Sequence, residues 1–115
     1  IKRMIFGMEY EQGEIVIVPF PFSDLKGIKQ RPVLILSKDR DSEDIITCGI
    51  TSNIKNIRHS ILINNGDLEN GSIPVQSRIK VDKLFTLHKK VIKKKIAKLN
   101  QIILENVKKE FCKLV

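Results

Sequence analysis

Four residues in this sequence have types and settings that could do chemistry: Arg31, Thr51, Lys80 and Asp82. Arg31 stands directly before the apolar run "PVLILS", so a strand would hold its backbone rigid. A guanidinium held that way presents five donors in a fixed fork, which suits phosphate oxygens. Thr51 closes the run "IITCGITS" with a hydroxyl that can donate to a phosphate oxygen. Lys80 and Asp82 lie two apart in an alternating segment and so share a strand face, as an acid–base pair would. Each has a plainer reading beside this one. Arg31 is then a solvated charge, Thr51 a turn cap, and Lys80 with Asp82 a surface ion pair worth about 0–1 kcal/mol.

Other chemistries lack their residues. No GxxxxGK follows a strand-like run, no HExxH is present, and no carboxylates take metal-ligand spacing. Cys48 and Cys112 form neither a disulfide framework nor a CxxC, with only His59 and His88 to help them, so no metal or cofactor is expected. A lone strand histidine such as His59 is more often structural. Lys and Arg number 21 against 13 acids, and the net charge of +8 favours RNA, DNA or an acidic protein, or else serves solubility.

The elements that must position these residues are short. Ile15–Val18 reads as a buried strand, with Pro19 and Pro21 forcing an edge or a departure from regular pairing. Ser23–Gln30 reads as a loop around Gly27, and Pro32–Ser37 as a second strand with Pro32 at its first position. Ile45–Ser52 gives a third strand, with Gly49 marking a bulge or a close approach, and "HSILI" a fourth. "NNGDLENGS" is a tight connection. "IPVQSRIKVDKL" begins as a strand interrupted by Pro74, then alternates with Ile79 and Val81 on one face. Asn100 is a good N-cap for a helix whose apolar face is Ile103, Val107, Phe111 and Leu114. "KKVIKKKIAKL" either extends that helix backwards or holds a turn and a last strand, Lys94–Leu99.

Short strands, frequent turn signals and one closing helix suggest a small, strongly bent β-barrel formed by a single domain over residues 8–115. Residues 1–7 read as an N-terminal extension. No apolar run approaches the ~20 residues that span a bilayer, and the expectation is a cytoplasmic protein with no membrane partner.

The stretch "GEIVIVPFPFSDLKGIKQRPVLILS", followed by "GITSNI" and "IKVDKLFTLHKKVIKKKIAKLNQIILENVKKEF", resembles the MazF/PemK family of type II toxin–antitoxin toxins. The similarity runs from about Met8 to Val115. It implies a mostly β (α+β) fold: a compact SH3-like β-barrel with a C-terminal α-helix, assembled as a homodimer. It also implies sequence-selective, metal-independent cleavage of single-stranded RNA, and a cognate acidic antitoxin that folds on binding. By position, Arg31 and Thr51 match the family's catalytic arginine and threonine. Asp82 matches an aspartate used as base in some members, and Lys80 sits where those members carry arginine. Lys26, Lys29, Gln30, Ser52, Asn53, Gln76 and Arg78 lie close to these in sequence and are the candidate RNA contacts. Phe20 and Phe22 either stack bases or belong to the core. Three departures stand out: a short loop from Ser23 to Gln30, Lys80 for arginine, and Ala97 where glycine is usual. The competing readings are a non-catalytic RNA-binding barrel and a gyrase-targeting relative.

Overall fold

The computed structural model describes residues 9–21 and 28–115. Met8, Phe22, Lys26 and Gly27 lie outside the described residues, as does the side chain of Phe20. The strands are β1 (Glu14–Pro21), β2 (Ile28–Ile35), β3 (Asp44–Thr51), β4 (Ser60–Ile63), β5 (Leu68–Gly71), β6 (Ser77–His88) and β7 (Lys94–Leu99), followed by helix α1 (Gln101–Cys112). Among the described residues they form one sheet in the order β4-β6-β3-β2-β1-β7-β5, antiparallel throughout and curled into a half-barrel. The mostly β architecture with one C-terminal helix is the one expected. No described helix is long and apolar enough to cross a membrane.

The chain alternates apolar residues on both faces of its central strands, so the sheet has two cores. Ile15, Leu34, Cys48, Ile50, Ile79 and Val81 face one side, where Leu104 and Val107 of α1 close over them. Val16, Val18, Val33, Ile35 and Ile45 face the other and pack with Ile92, Tyr10 and Leu87. Each fully buried Val or Ile contributes roughly 1.5–3 kcal/mol of transfer free energy. Asn100 caps α1 by accepting the Ile103 N–H at 2.9 Å. The buried helix residues are Leu104 and Val107, while Ile103, Phe111 and Leu114 are partly buried, so the apolar face includes Leu104 as well as the residues expected from spacing.

Several boundaries differ from the sequence expectation. Ile28–Gln30 belong to β2, not to a loop, so Arg31 lies inside a strand, opposite Val18. Residues 73–76 around Pro74 are not strand, and β6 starts at Ser77. Leu68–Gly71, read as part of a connection, is an edge strand on β7. Lys94–Leu99 is a strand, the second of the two readings of that segment.

The prolines of β1 are accommodated by parity. Ile17 points its carbonyl towards β7, accepting the Lys93 N–H at 2.8 Å, and β7 pairing ends there. Pro19 and Pro21 share the parity of Ile17, so their missing N–H groups face a side where β7 has already stopped. At the other end, Glu14 is buried and accepts the Glu11 N–H at 2.7 Å while Lys95 Nζ lies 3.2 Å away. Glu14→Ala takes the acceptor from the Glu11 N–H and the carboxylate partner from Lys95, and is expected to destabilise the fold by about 1–3 kcal/mol, read from the urea midpoint at unchanged slope.

Candidate functional site

Pro32 opens the site. Backbone parity turns the Pro32 nitrogen towards β3, where it has no hydrogen to donate. The β2–β3 ladder accordingly runs from Ile35↔Thr47 only to Val33↔Gly49 and stops, and beyond that point the strands part. Pro32 is therefore not the first residue of its strand but the first beyond the end of this ladder. A depression of about 360 Å³ lies in the gap. Its walls come from β2 (Arg31, Pro32, Val33), β3 (Gly49, Ile50, Thr51) and β6 (Lys80, Lys83, Phe85).

β6 reaches the depression through a bulge. Its register with β3 passes from Cys48↔Leu84 directly to Gly49↔Lys80, leaving three residues, Val81 to Lys83, without β3 partners. The extra residues break the alternation, and Asp82, Lys83 and Leu84 are consecutively exposed. Lys80 and Lys83 thereby both line the depression, whereas Asp82 is absent from its lining. The expected shared working face of Lys80 and Asp82 gives way to a pair of lysines. The Asp82 charge instead adds to burial in pushing the Cys48 thiol up to about 12, with burial the larger cause.

Three of the four candidates thus meet: Arg31, Thr51 and Lys80, from three strands. Thr51 takes up the turn-cap role without giving up its place in the lining. Its Oγ1 accepts the Asn53 N–H at 3.1 Å, capping the turn, and its own hydroxyl hydrogen remains to donate. Among the described residues that line it, the charged ones are Arg31, Lys80 and Lys83, a cationic set of the kind that suits an anion. Gly49 is part of the lining, and a Cβ there would lie 3.6 Å from Phe85 Cε2 and 3.8 Å from Lys83 Cβ.

Around it, Lys29 and Gln30 are exposed on β2, Ser52 and Asn53 are exposed just after β3, and Gln76 is exposed before β6. Arg78 is tied down within the protein, with Nε donating to the Ile54 carbonyl and Nη1 to Ser60 Oγ, each at 3.0 Å. Lys26 lies outside the described residues. Lys83 and Phe85 were not expected at the site. Strict alternation from Lys80 puts Lys83 on the opposite face; Gly49, read as a bulge position, does stand at the break in register, but the extra residues are on β6, where no local signal marks them. Among the described residues no three His, Cys, Asp or Glu side chains are grouped as metal ligands.

Residues 11–115 match the family of PemK-like, MazF-like toxins of type II toxin–antitoxin systems. The chain belongs to this family. The fold is shared with the MazE–MazF complex of Deinococcus radiodurans, at a TM-score of 0.75 and 18% identity over 93% of this chain and 96% of the other. An endoribonuclease from Mycobacterial species, in complex with its cognate antitoxin, gives 0.72 at 14% identity, covering 90% and 92%. The Mycobacterium tuberculosis toxin MazF-mt6 gives 0.65 at 16%, covering 85% and 93%. No curated protein sequence matches the chain at a significant level. Membership of the MazF/PemK family makes this chain a type II toxin.

Proposed function

We propose that this MazF/PemK-family toxin is a metal-independent endoribonuclease that cuts single-stranded RNA, including mRNA, at selected sequences and so inhibits translation and growth. The observation that carries this reading is the convergence of Arg31, Thr51 and Lys80, from three strands, on one depression. The ribose 2′-OH attacks the adjacent phosphorus, its proton passes to solvent, and the P–O5′ bond breaks. The products are a 2′,3′-cyclic phosphate and a 5′-OH end. Arg31 stabilises the negative charge of the phosphorane through its fork, Thr51 orients the scissile phosphate, and Lys80 adds charge and protonates the leaving 5′-oxygen. Phe85 offers an aromatic face to a splayed base. Asp82 is outside the lining, so the rate is assigned chiefly to charge stabilisation by Arg31 and Lys80. Asp82→Asn is expected to fall short of the ~10²-fold loss that removing a general base brings, measured as single-turnover cleavage.

Incubating the purified chain with a long RNA in EDTA tests the reading. Discrete cuts with 5′-OH ends support it, whereas gel retardation without cleavage indicates a non-catalytic RNA-binding barrel. Cleavage without gyrase excludes the gyrase-targeting alternative. The toxin is proposed to work in the cytoplasm as a homodimer. An acidic antitoxin segment is its proposed inhibitor, competing with RNA for the cationic surface, in keeping with the net charge of +8.

Gly49 in the lining gives a separate test. The distances from a Cβ at Gly49 are ordinary van der Waals contacts, so Gly49→Ala is expected to fold. Its methyl group occupies space where the phosphate sits, and cleavage is expected to slow on the order of 10-fold, read alongside an unchanged melting temperature.

A further inference from the structure

The bulge that brings Lys80 and Lys83 together has to be held in shape, and one residue links it to a distant element. β4 begins at Ser60, yet its pairing with β6 takes one more bond, from the Val81 N–H to the His59 carbonyl at 2.9 Å. Val81 is fully buried, so this N–H has no access to water. His59 is the one non-glycine among the described residues with positive φ, at 57°. That left-handed backbone aims its carbonyl at the bulge, and a non-glycine residue keeps it only when its surroundings enforce it.

The enforcement comes from α1. His59 Nδ1 lies 3.0 Å from Glu110 Oε2, and since a carboxylate only accepts, Nδ1 carries the hydrogen. The contact is the first cause holding the Glu110 carboxyl below its usual range, with Lys113 adding to it from 3.4 Å on the other oxygen. Beside His59, the Ser60 hydroxyl donates to the Ile57 carbonyl at 2.6 Å and accepts from Arg78, so the turn is braced on its β6 side too.

We propose that His59 is a positioning residue: fastened by Glu110 of the C-terminal helix, it fixes the β6 bulge and thereby the spacing of Lys80 and Lys83 in the depression. The kinetic part of this inference rests on the ribonuclease reading, and the structural part does not. Three variants of the full chain test it. Glu110→Ala removes the fastening from the helix surface. His59→Gly removes the side chain while relieving the backbone. His59→Asn tolerates positive φ and places an amide donor at the same bond distance as Nδ1. Hydrogen exchange at the Val81 amide is followed together with kcat and KM on RNA.

The expected result is Val81 exchange and a kcat loss each on the order of 10-fold in Glu110→Ala and His59→Gly, with KM nearly unchanged and both effects reversed in His59→Asn. Unchanged Val81 exchange in Glu110→Ala overturns the proposal, as does a freed Val81 with unaltered kcat. If the parent chain does not cut RNA, the ribonuclease reading fails, and the exchange measurement still decides whether His59 fixes the bulge.

Discussion

Arg31→Ala is expected to fold as the parent chain does and to cleave RNA at least ~10²–10³-fold more slowly, the cost of removing one preorganised donor from a developing oxyanion. The fold survives because the main chain holds the position: Arg31 sits in the β1–β2 ladder opposite Val18, and the neighbouring Val33 and Leu34 anchor β2 in both cores. The substitution removes a half-buried side chain with its own contacts and leaves these backbone anchors in place. Arg31→Lys separates charge from geometry. An ammonium keeps the charge and loses the planar fork, so its rate is expected to lie between those of the parent and the alanine variant. A melting curve beside single-turnover cleavage checks both variants. Full cleavage by a folded Arg31→Ala chain would remove Arg31 from the reaction and leave the depression as a binding surface alone.

The positions of Arg31 and Thr51 in the candidate site were legible in the sequence because they depend on local patterns. Arg31 before an apolar run and Thr51 at the end of one are positions that a strand fixes whatever its neighbours are. The helix after Asn100 announces itself through its cap and its spacing. What was not legible depends on pairing between distant strands. Pro32 was expected to cost least at a strand start, yet its effect is to end the β2–β3 ladder and open a gap, which becomes visible only once β3 is known to be the neighbour. The bulge from Val81 to Lys83 is a mismatch between two registers, so the alternation of Ile79, Val81 and Lys80, Asp82 gave no warning of it. It exchanged Asp82 for Lys83 in the lining and, with that, a carboxylate for a cation. The short edge strand Leu68–Gly71 escaped for a related reason: its Asn- and Gly-rich sequence carries turn chemistry, and only β7 makes it a strand.

That edge strand contains the position where a single methyl group is expected to do the most damage to the fold. Gly71 pairs with Ala97 at a φ of 77°, and a Cβ built there would lie 2.1 Å from the Ile96 carbonyl oxygen and 2.5 Å from the Ala97 Cα. Both obstacles are backbone atoms of β7, which cannot swing aside as a side chain can. At Gly13, by contrast, the nearest obstacle is a flexible Leu104 methyl at 3.2 Å. Gly71→Ala is therefore expected to destabilise the protein by about 3–5 kcal/mol, at the diagnostic end of single substitutions and a large share of the roughly 5–15 kcal/mol that holds a domain folded. Urea unfolding measures it, and a loss below about 1 kcal/mol, the centre of ordinary substitutions, would mean that β5 does not approach β7 this closely. The position also separates stability from chemistry. β5 lies at the far edge of the sheet, with β7 and β1 between it and the β2, β3 and β6 walls of the depression. At low temperature, where part of the Gly71→Ala population is folded, cleavage per folded molecule should match that of the parent chain. Arg31→Ala should show the reverse, a normal unfolding curve with the reaction lost.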